Sequence, residues 1–91
     1  MAGIAFDPRK DAINRRKHGI GLAAAAVIFE GPILRQPDDR ADYGEERWLT
    51  IGRIDVAIFT VCYTMRARIY RIISLRPASR KERNAYEKVR L

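Results

Sequence analysis

Arg76, Arg80, Lys81 and Arg83 crowd the point where an apolar run, Ile72, Ile73 and Leu75, gives way to a segment with helix-start signals. Pro77 ends the run, because proline cannot donate to a sheet ladder. Ser79 and Glu82 have the spacing of a capping box, in which the serine oxygen takes the Glu82 backbone N–H and the glutamate reaches back to the Ser79 N–H. A helix therefore starts at Ser79, and the unpaired amides of its first turn lie beside these cationic side chains. That is the outline of an anion site. A wet surface helix with solvated arginines accounts for the same charge run equally well.

Phosphate is the anion such groups suit, since a guanidinium fork meets two of its oxygens at once. In RNA the attacking group belongs to the substrate, the 2′-hydroxyl beside the scissile phosphate. A protein then has to hold that geometry, accept one proton, donate another and neutralise the charge that grows on the phosphorane oxygens. One well-placed charge donor is worth about 3 kcal/mol, roughly a hundredfold in rate, so several arginines and one proton carrier suffice. Metal and cofactor chemistry are not expected. The chain has one histidine and one cysteine, no paired metal-ligand spacing, and none of the glycine-rich phosphate loops or nucleophile elbows.

The balance of 18 lysines and arginines against 11 carboxylates gives a formal charge of +7, a field that favours a polyanionic partner, nucleic acid or acidic protein. With 91 residues and 47% hydrophobic content, a single domain spanning residues 1–91 with one modest core is expected. Cys62 has no partner for an internal disulfide and sits in an apolar run, where it packs as a small hydrophobe and fits a reducing cytoplasm. The start, MAGIAFDPRK, lacks a basic-then-apolar signal, and no apolar run reaches membrane-spanning length. A cytoplasmic protein with no membrane contact is the expectation.

The elements that must position these groups follow in order. Residues 4–6 supply a short edge strand; Asp7 then caps a helix with Pro8 at its first position, running to His18, and Gly19 ends it in the left-handed conformation. His18 reads as a base or as a helix-end residue, and Lys17 as a phosphate contact or plain surface. A second helix is expected over Leu22–Phe29, with Leu22, Ala25, Ala26 and Phe29 on one face and Gly31-Pro32 as its stop. Strands follow at 33–36, Arg47–Ile51, Val56–Thr64 and Arg68–Arg76, separated by the acidic loop 37–46 and by turns at 52–55 and 65–67. On the last strand, strict alternation puts Ile69, Arg71, Ile73 and Leu75 on one side and Tyr70, Ile72, Ser74 and Arg76 on the other, wetter at Ser74 and Arg76. The fold class is α+β: two N-terminal helices packed on one face of a three- to four-stranded antiparallel sheet, with a C-terminal helix.

One combination of residues carries a resemblance across nearly the whole chain. Asp7-Pro8, Lys10, Asn14, Lys17-His18-Gly19, Phe29, Asp42-Tyr43-Gly44-Glu45-Glu46-Arg47, Ile51-Gly52, Arg71-Ile72-Ile73-Ser74, Arg76, Ala78, Arg80, Glu82-Arg83 and Tyr86-Glu87 together resemble the BrnT family, toxins of bacterial type II toxin–antitoxin systems. The resemblance implies a RelE-like fold, a ribonuclease that arrests translation, and neutralisation by a BrnA-type ribbon-helix-helix antitoxin whose complex binds operator DNA. By position in such toxins, it implies that Arg47, Arg76 and Arg80 stabilise the scissile phosphate, with Lys17, Lys81 and Arg83 as further phosphate contacts. Tyr86, His18 or Glu46 would then handle protons. Tyr86 reads equally as a packing residue, and Glu46 as an ion-pair partner of Arg47. The chain departs from the family's pattern at Gly21 to Ala24, at Phe6 and at Arg40-Ala41, where acidic residues, tryptophan and histidine are usual. A non-catalytic nucleic-acid- or ribosome-binding module, and a degenerate toxin acting only in its antitoxin complex, remain open as alternatives.

Overall fold

The computed structural model describes residues 3–89, so Met1, Ala2, Leu91 and Arg90, the end of the basic segment, lie outside the described residues. The chain runs β1 (Ile4–Phe6), α1 (Pro8–His18), a 3-10 turn (Leu22–Ala24), α2 (Ala25–Ile28), β2 (Leu34–Pro37), β3 (Trp48–Ile54), β4 (Ala57–Arg66), β5 (Ile69–Pro77) and α3 (Arg80–Val89). This is the expected α+β class. No helix among the described residues is long and apolar enough to cross a membrane.

Local chemistry sets the first and last helices as read from sequence. The Asp7 carboxylate accepts the Arg9 N–H at 2.8 Å, and Gly19, with φ at 73°, closes α1 by donating its N–H to the Arg15 carbonyl, the left-handed cap that glycine adopts without strain. At the other end, Glu82 N–H donates to Ser79 Oγ at 3.1 Å and Ser79 N–H to Glu82 Oε1 at 2.8 Å, the reciprocal capping box. The second helix is shorter and tighter than expected. Leu22, Ala25 and Ile28 are the fully buried residues, a spacing of three that suits 3-10 winding, while Ala26 is exposed. Its start is tied down from α1, where Asp11 accepts the Leu22 N–H at 2.7 Å.

The sheet is five-stranded and mixed, in the order β1-β5-β4-β3-β2, where a three- to four-stranded antiparallel sheet was expected. Hairpins fix β2 to β5 as antiparallel neighbours, but β1 is joined to them by no hairpin and pairs parallel with β5 through Ile4–Tyr70, Ala5–Arg71 and Phe6–Ile72. Beyond β1, Asn14 of α1 takes over the β5 edge: its side chain donates to the Leu75 carbonyl at 2.8 Å and accepts the Leu75 N–H at 3.1 Å. The strand β3 also runs through Gly52, which the sequence reading put in a turn. A Cβ there would sit 2.6 Å from Ile28 Cγ2, so glycine is what lets α2 lie against the sheet. The turns fall at Asp55, Ala67 and Arg68, all with positive φ.

Helices cover both faces, not one. On the first, Leu22, Ala25 and Ile28 pack with Val61, Tyr63, Ile72 and Leu75. On the second, Ala78 and Tyr86 pack with Ile51, Leu34 and Ile58. Because α3 covers only part of this second face, the remainder stays open. A bulge between β4 and β5 decides what that open part carries. Pairing jumps from Cys62–Ser74 to Tyr63–Ile72, leaving Ile73 as the extra residue. Past the bulge the parity is inverted: Ile72 joins Leu75 on the core face, and Arg71, paired with Thr64, joins Ser74 and Arg76 on the second. The expected side assignment of Arg71 and Ile72 is thereby reversed.

Candidate functional site

Two hollows lie along the second sheet face, and they are built differently. The first, about 180 Å³, is lined by Asp7, Lys10, Glu45, Arg47, Thr64, Arg66 and Arg71 among others. Continuing the β3–β4 register from Trp48–Tyr63 puts Arg47 opposite Thr64, which pairs on its other side with Arg71. Arg47 and Arg71 therefore flank one strand, their backbones about 10 Å apart, a span that a phosphate held between two guanidinium arms can fill. Lys10 reaches in from α1, whose Asp7 cap sets its first turn at the end of β1.

Arg47 is the most constrained of these cations. Its guanidinium lies 3.9 Å over the Tyr43 ring, a cation–π contact, and its side chain is 23% exposed. Its Nε is buried and has no hydrogen-bond partner. Glu45 binds Arg66 at 3.1 Å and stands 3.8 Å from Arg47 Nε, so Glu45, and not Glu46, is the carboxylate beside Arg47. Among the described residues, Lys10 and Arg71 form no ion pair. The hollow thus holds four cations against two carboxylates, with donors to spare.

The second hollow, about 350 Å³, is larger and balanced, its lining including Arg40, Arg76 and Lys81 against Asp38, Asp39 and Glu82. Both Arg76 arms bind Glu82, at 2.7 and 2.9 Å. That fork, helped by the Ser79 N–H, holds the Glu82 carboxyl down to about 2 and raises Arg76. Arg40 binds the fully buried Asp38 carboxylate at 2.6 and 2.8 Å, which holds Asp38 below the usual carboxylate range. Cys62 donates to Asp38 Oδ2 at 3.6 Å, and burial pushes its thiol up to about 11, so at neutral pH it packs rather than reacts.

The structure scatters the remaining candidates. Lys81 joins Arg76 in the second hollow, but Arg80 does not; it sits with Lys81, Asn84 and Lys88 on another part of α3. Arg83 donates to the Ala78 carbonyl at 3.0 Å. The four cations at the strand–helix junction therefore do not converge on one anion. Tyr86 is 1% exposed and its hydroxyl donates to the Pro32 carbonyl at 2.8 Å, a packing and anchoring position. Glu46 accepts the Thr64 hydroxyl on its backbone carbonyl, and it lines a neighbouring hollow with Trp48 and Met65 but not the first. Lys17 is exposed and His18 half-buried at the end of α1, one helical turn past Asn14 and outside both hollows. Lys10, Arg66 and Arg71 were missed as site residues. The one sequence signal for Arg71 was the doublet Ile72-Ile73, where the period-two alternation breaks as a bulge requires.

A family model described as "Ribonuclease toxin, BrnT, of type II toxin-antitoxin system" matches residues 6–82. A search of the curated proteins found no match.

Proposed function

We propose, since the chain belongs to the BrnT family of ribonuclease toxins of type II toxin–antitoxin systems, that it cuts messenger RNA in the hollow between Arg47 and Arg71. The observation that carries this reading is Arg47 itself: a largely buried guanidinium, seated on Tyr43, with an Nε that makes no hydrogen bond and an excess of positive charge around it. A charge donor held before the substrate arrives reorganises little during the reaction, which is where most electrostatic catalysis originates.

In this reading the scissile phosphate lies between Arg47 and Arg71. The substrate's 2′-oxygen attacks phosphorus as its proton passes to the Glu45 carboxylate. The bond to the 5′-oxygen breaks, that oxygen takes a proton from Lys10, and the products are a 2′,3′-cyclic phosphate and a free 5′-hydroxyl. Glu45 is placed for this by its contact with Arg66, and geometry is the first requirement of a general base. A type II toxin has a protein antitoxin as partner. We assign that role to a BrnA-type ribbon-helix-helix protein, with operator DNA met only through the complex and growth arrest in the cytoplasm as the outcome.

The test is cleavage of an RNA oligonucleotide beside a copy carrying 2′-deoxyribose at the cut position. Cyclic phosphate ends from the first and no cut in the second are expected, and Arg47→Ala should slow the cut about 100-fold with the fold intact. Cutting of the deoxy copy, or full activity in Arg47→Ala, would overturn the proposal.

A further inference from the structure

The outward side of α3 carries cations that neither the packing nor the first hollow uses. Arg80, Lys81 and Lys88 line one patch with Asn84 and Ala85, and no carboxylate belongs to that lining. The opposite side of the helix is anchored by the buried Tyr86. Lys81 belongs at once to this patch and to the second hollow, where Arg40, with its side chain 58% exposed, stands at the rim. The second hollow in turn shares its sheet face with the first, because the β5 bulge puts Arg71 on the side of Arg76. Cationic side chains therefore follow one another from Arg71 and Arg47, past Lys81, to Lys88, while Arg40 at the rim is engaged by Asp38.

We infer that this band is a track for single-stranded RNA, which leaves the cleavage hollow, crosses the second hollow and runs over α3. The inference rests on the ribonuclease reading for the identity of the strand. Its length is set by the fold. About five residues of β5 separate Arg71 from Arg76, roughly 16 Å, and the step from Lys81 to Lys88 adds about 10 Å along α3, so several nucleotides fit on the band. Exposed cations such as Lys81 and Lys88, which form no ion pair among the described residues, suit phosphates of any sequence, since each contact releases counterions and none reads a base. In the second hollow the pairs Arg76–Glu82 and Arg40–Asp38 are balanced, which leaves Lys81 as the cation there that forms no ion pair among the described residues.

The measurement is the affinity of a non-cleavable 2′-O-methyl oligonucleotide at several salt concentrations, for the wild-type protein and for the double variant Lys81→Ala, Lys88→Ala. These are exposed positions, where substitution changes stability by no more than about 0.5 kcal/mol. The variant should bind about tenfold more weakly, by the same factor whatever the base sequence, and its salt slope should fall by about 1.4, two contacts at about 0.7 each. Shortening the oligonucleotide to the span of the first hollow should remove the difference between the two proteins. Unchanged affinity and slope in the variant would overturn the track. So would retained RNA binding combined with lost neutralisation by the antitoxin, which gives the patch to the protein partner. Because binding is read on an oligonucleotide that cannot be cut, the two readings fail separately: binding along the band together with no cleavage of the unmodified RNA would sink the ribonuclease reading while leaving the track standing.

Discussion

The two hollows on one sheet face show that arginine count and arginine availability are different quantities. In the second hollow each guanidinium is already engaged: Arg76 holds Glu82 with two arms and Arg40 holds Asp38 with two groups. An anion entering there to be held by a guanidinium has to displace a carboxylate. In the first hollow Arg47 is held by an aromatic ring and a carboxylate beyond close hydrogen-bond distance, and Lys10 and Arg71 stand unpaired among the described residues. An anion entering there completes the site. The larger cavity is the worse phosphate site because its charges have been spent on the fold.

This contrast breaks first at the bond-making groups. Arg47→Ala should reduce cleavage about 100-fold and change stability little, since the side chain gives up no close ion pair. Glu45→Gln should lower the rate by a similar factor, roughly 100-fold for a lost proton acceptor. Arg76→Ala should do the reverse: it strands a carboxylate that is 14% exposed, costing about 3 kcal/mol of stability, while the folded fraction cuts RNA within severalfold of the wild-type rate. Single-turnover cleavage and urea unfolding on the same preparations separate the two effects. Equal rate losses in Arg47→Ala and Arg76→Ala would erase the distinction between the hollows.

The Glu82 carboxyl gives the same contrast a pH signature. Its pKa of about 2 in the folded protein lies below the ordinary 4.5, so deprotonated Glu82 favours the folded state. The stabilisation, about 3 kcal/mol, is complete above pH 4.5 and is lost as pH falls towards 2. Wild type and Glu82→Gln should therefore differ by this amount at pH 7, by less than half of it at pH 3, and converge as pH falls through about 2. A gap that persists undiminished at pH 2.5 would show that Glu82 acts through its shape and not its charge.

Where side chains act on backbone within a few residues, the sequence was readable. Asp7 and Gly19 bound α1, and Ser79 with Glu82 starts α3, because each is a local hydrogen-bond rule. The family signature was readable too, over residues 6–82. What escaped depends on pairing at long range. Nothing in Ile4–Phe6 states that it will lie parallel to β5, and nothing in Gly52 states that Ile28 will press on it. The bulge at Ile73 had the largest consequence: one extra residue moved Arg71 to the face of Arg47 and Arg76. Glu82 was recognised as a cap, but its second task, holding the Arg76 fork, needed the strand and helix to be seen side by side.

Tyr86 supplies the finest division between the two kinds of role. If its hydroxyl moves a proton in the reaction, Tyr86→Phe should lose a factor of about 100 or more in rate, the usual scale for a lost acid or base. The structure instead gives that hydroxyl one visible task, donating to the Pro32 carbonyl at 2.8 Å, from a ring that is 1% exposed and packed against Ile51 and Ala78. Removing the oxygen leaves the Pro32 carbonyl without its donor and keeps the ring's packing. We therefore expect Tyr86→Phe to cost about 1 kcal/mol of stability, a fall in thermal midpoint of roughly 4–8 °C for a domain of this size, with cleavage unchanged when measured below the transition. A variant with native stability and no cleavage would return Tyr86 to the chemistry and require the scissile phosphate to sit over α3.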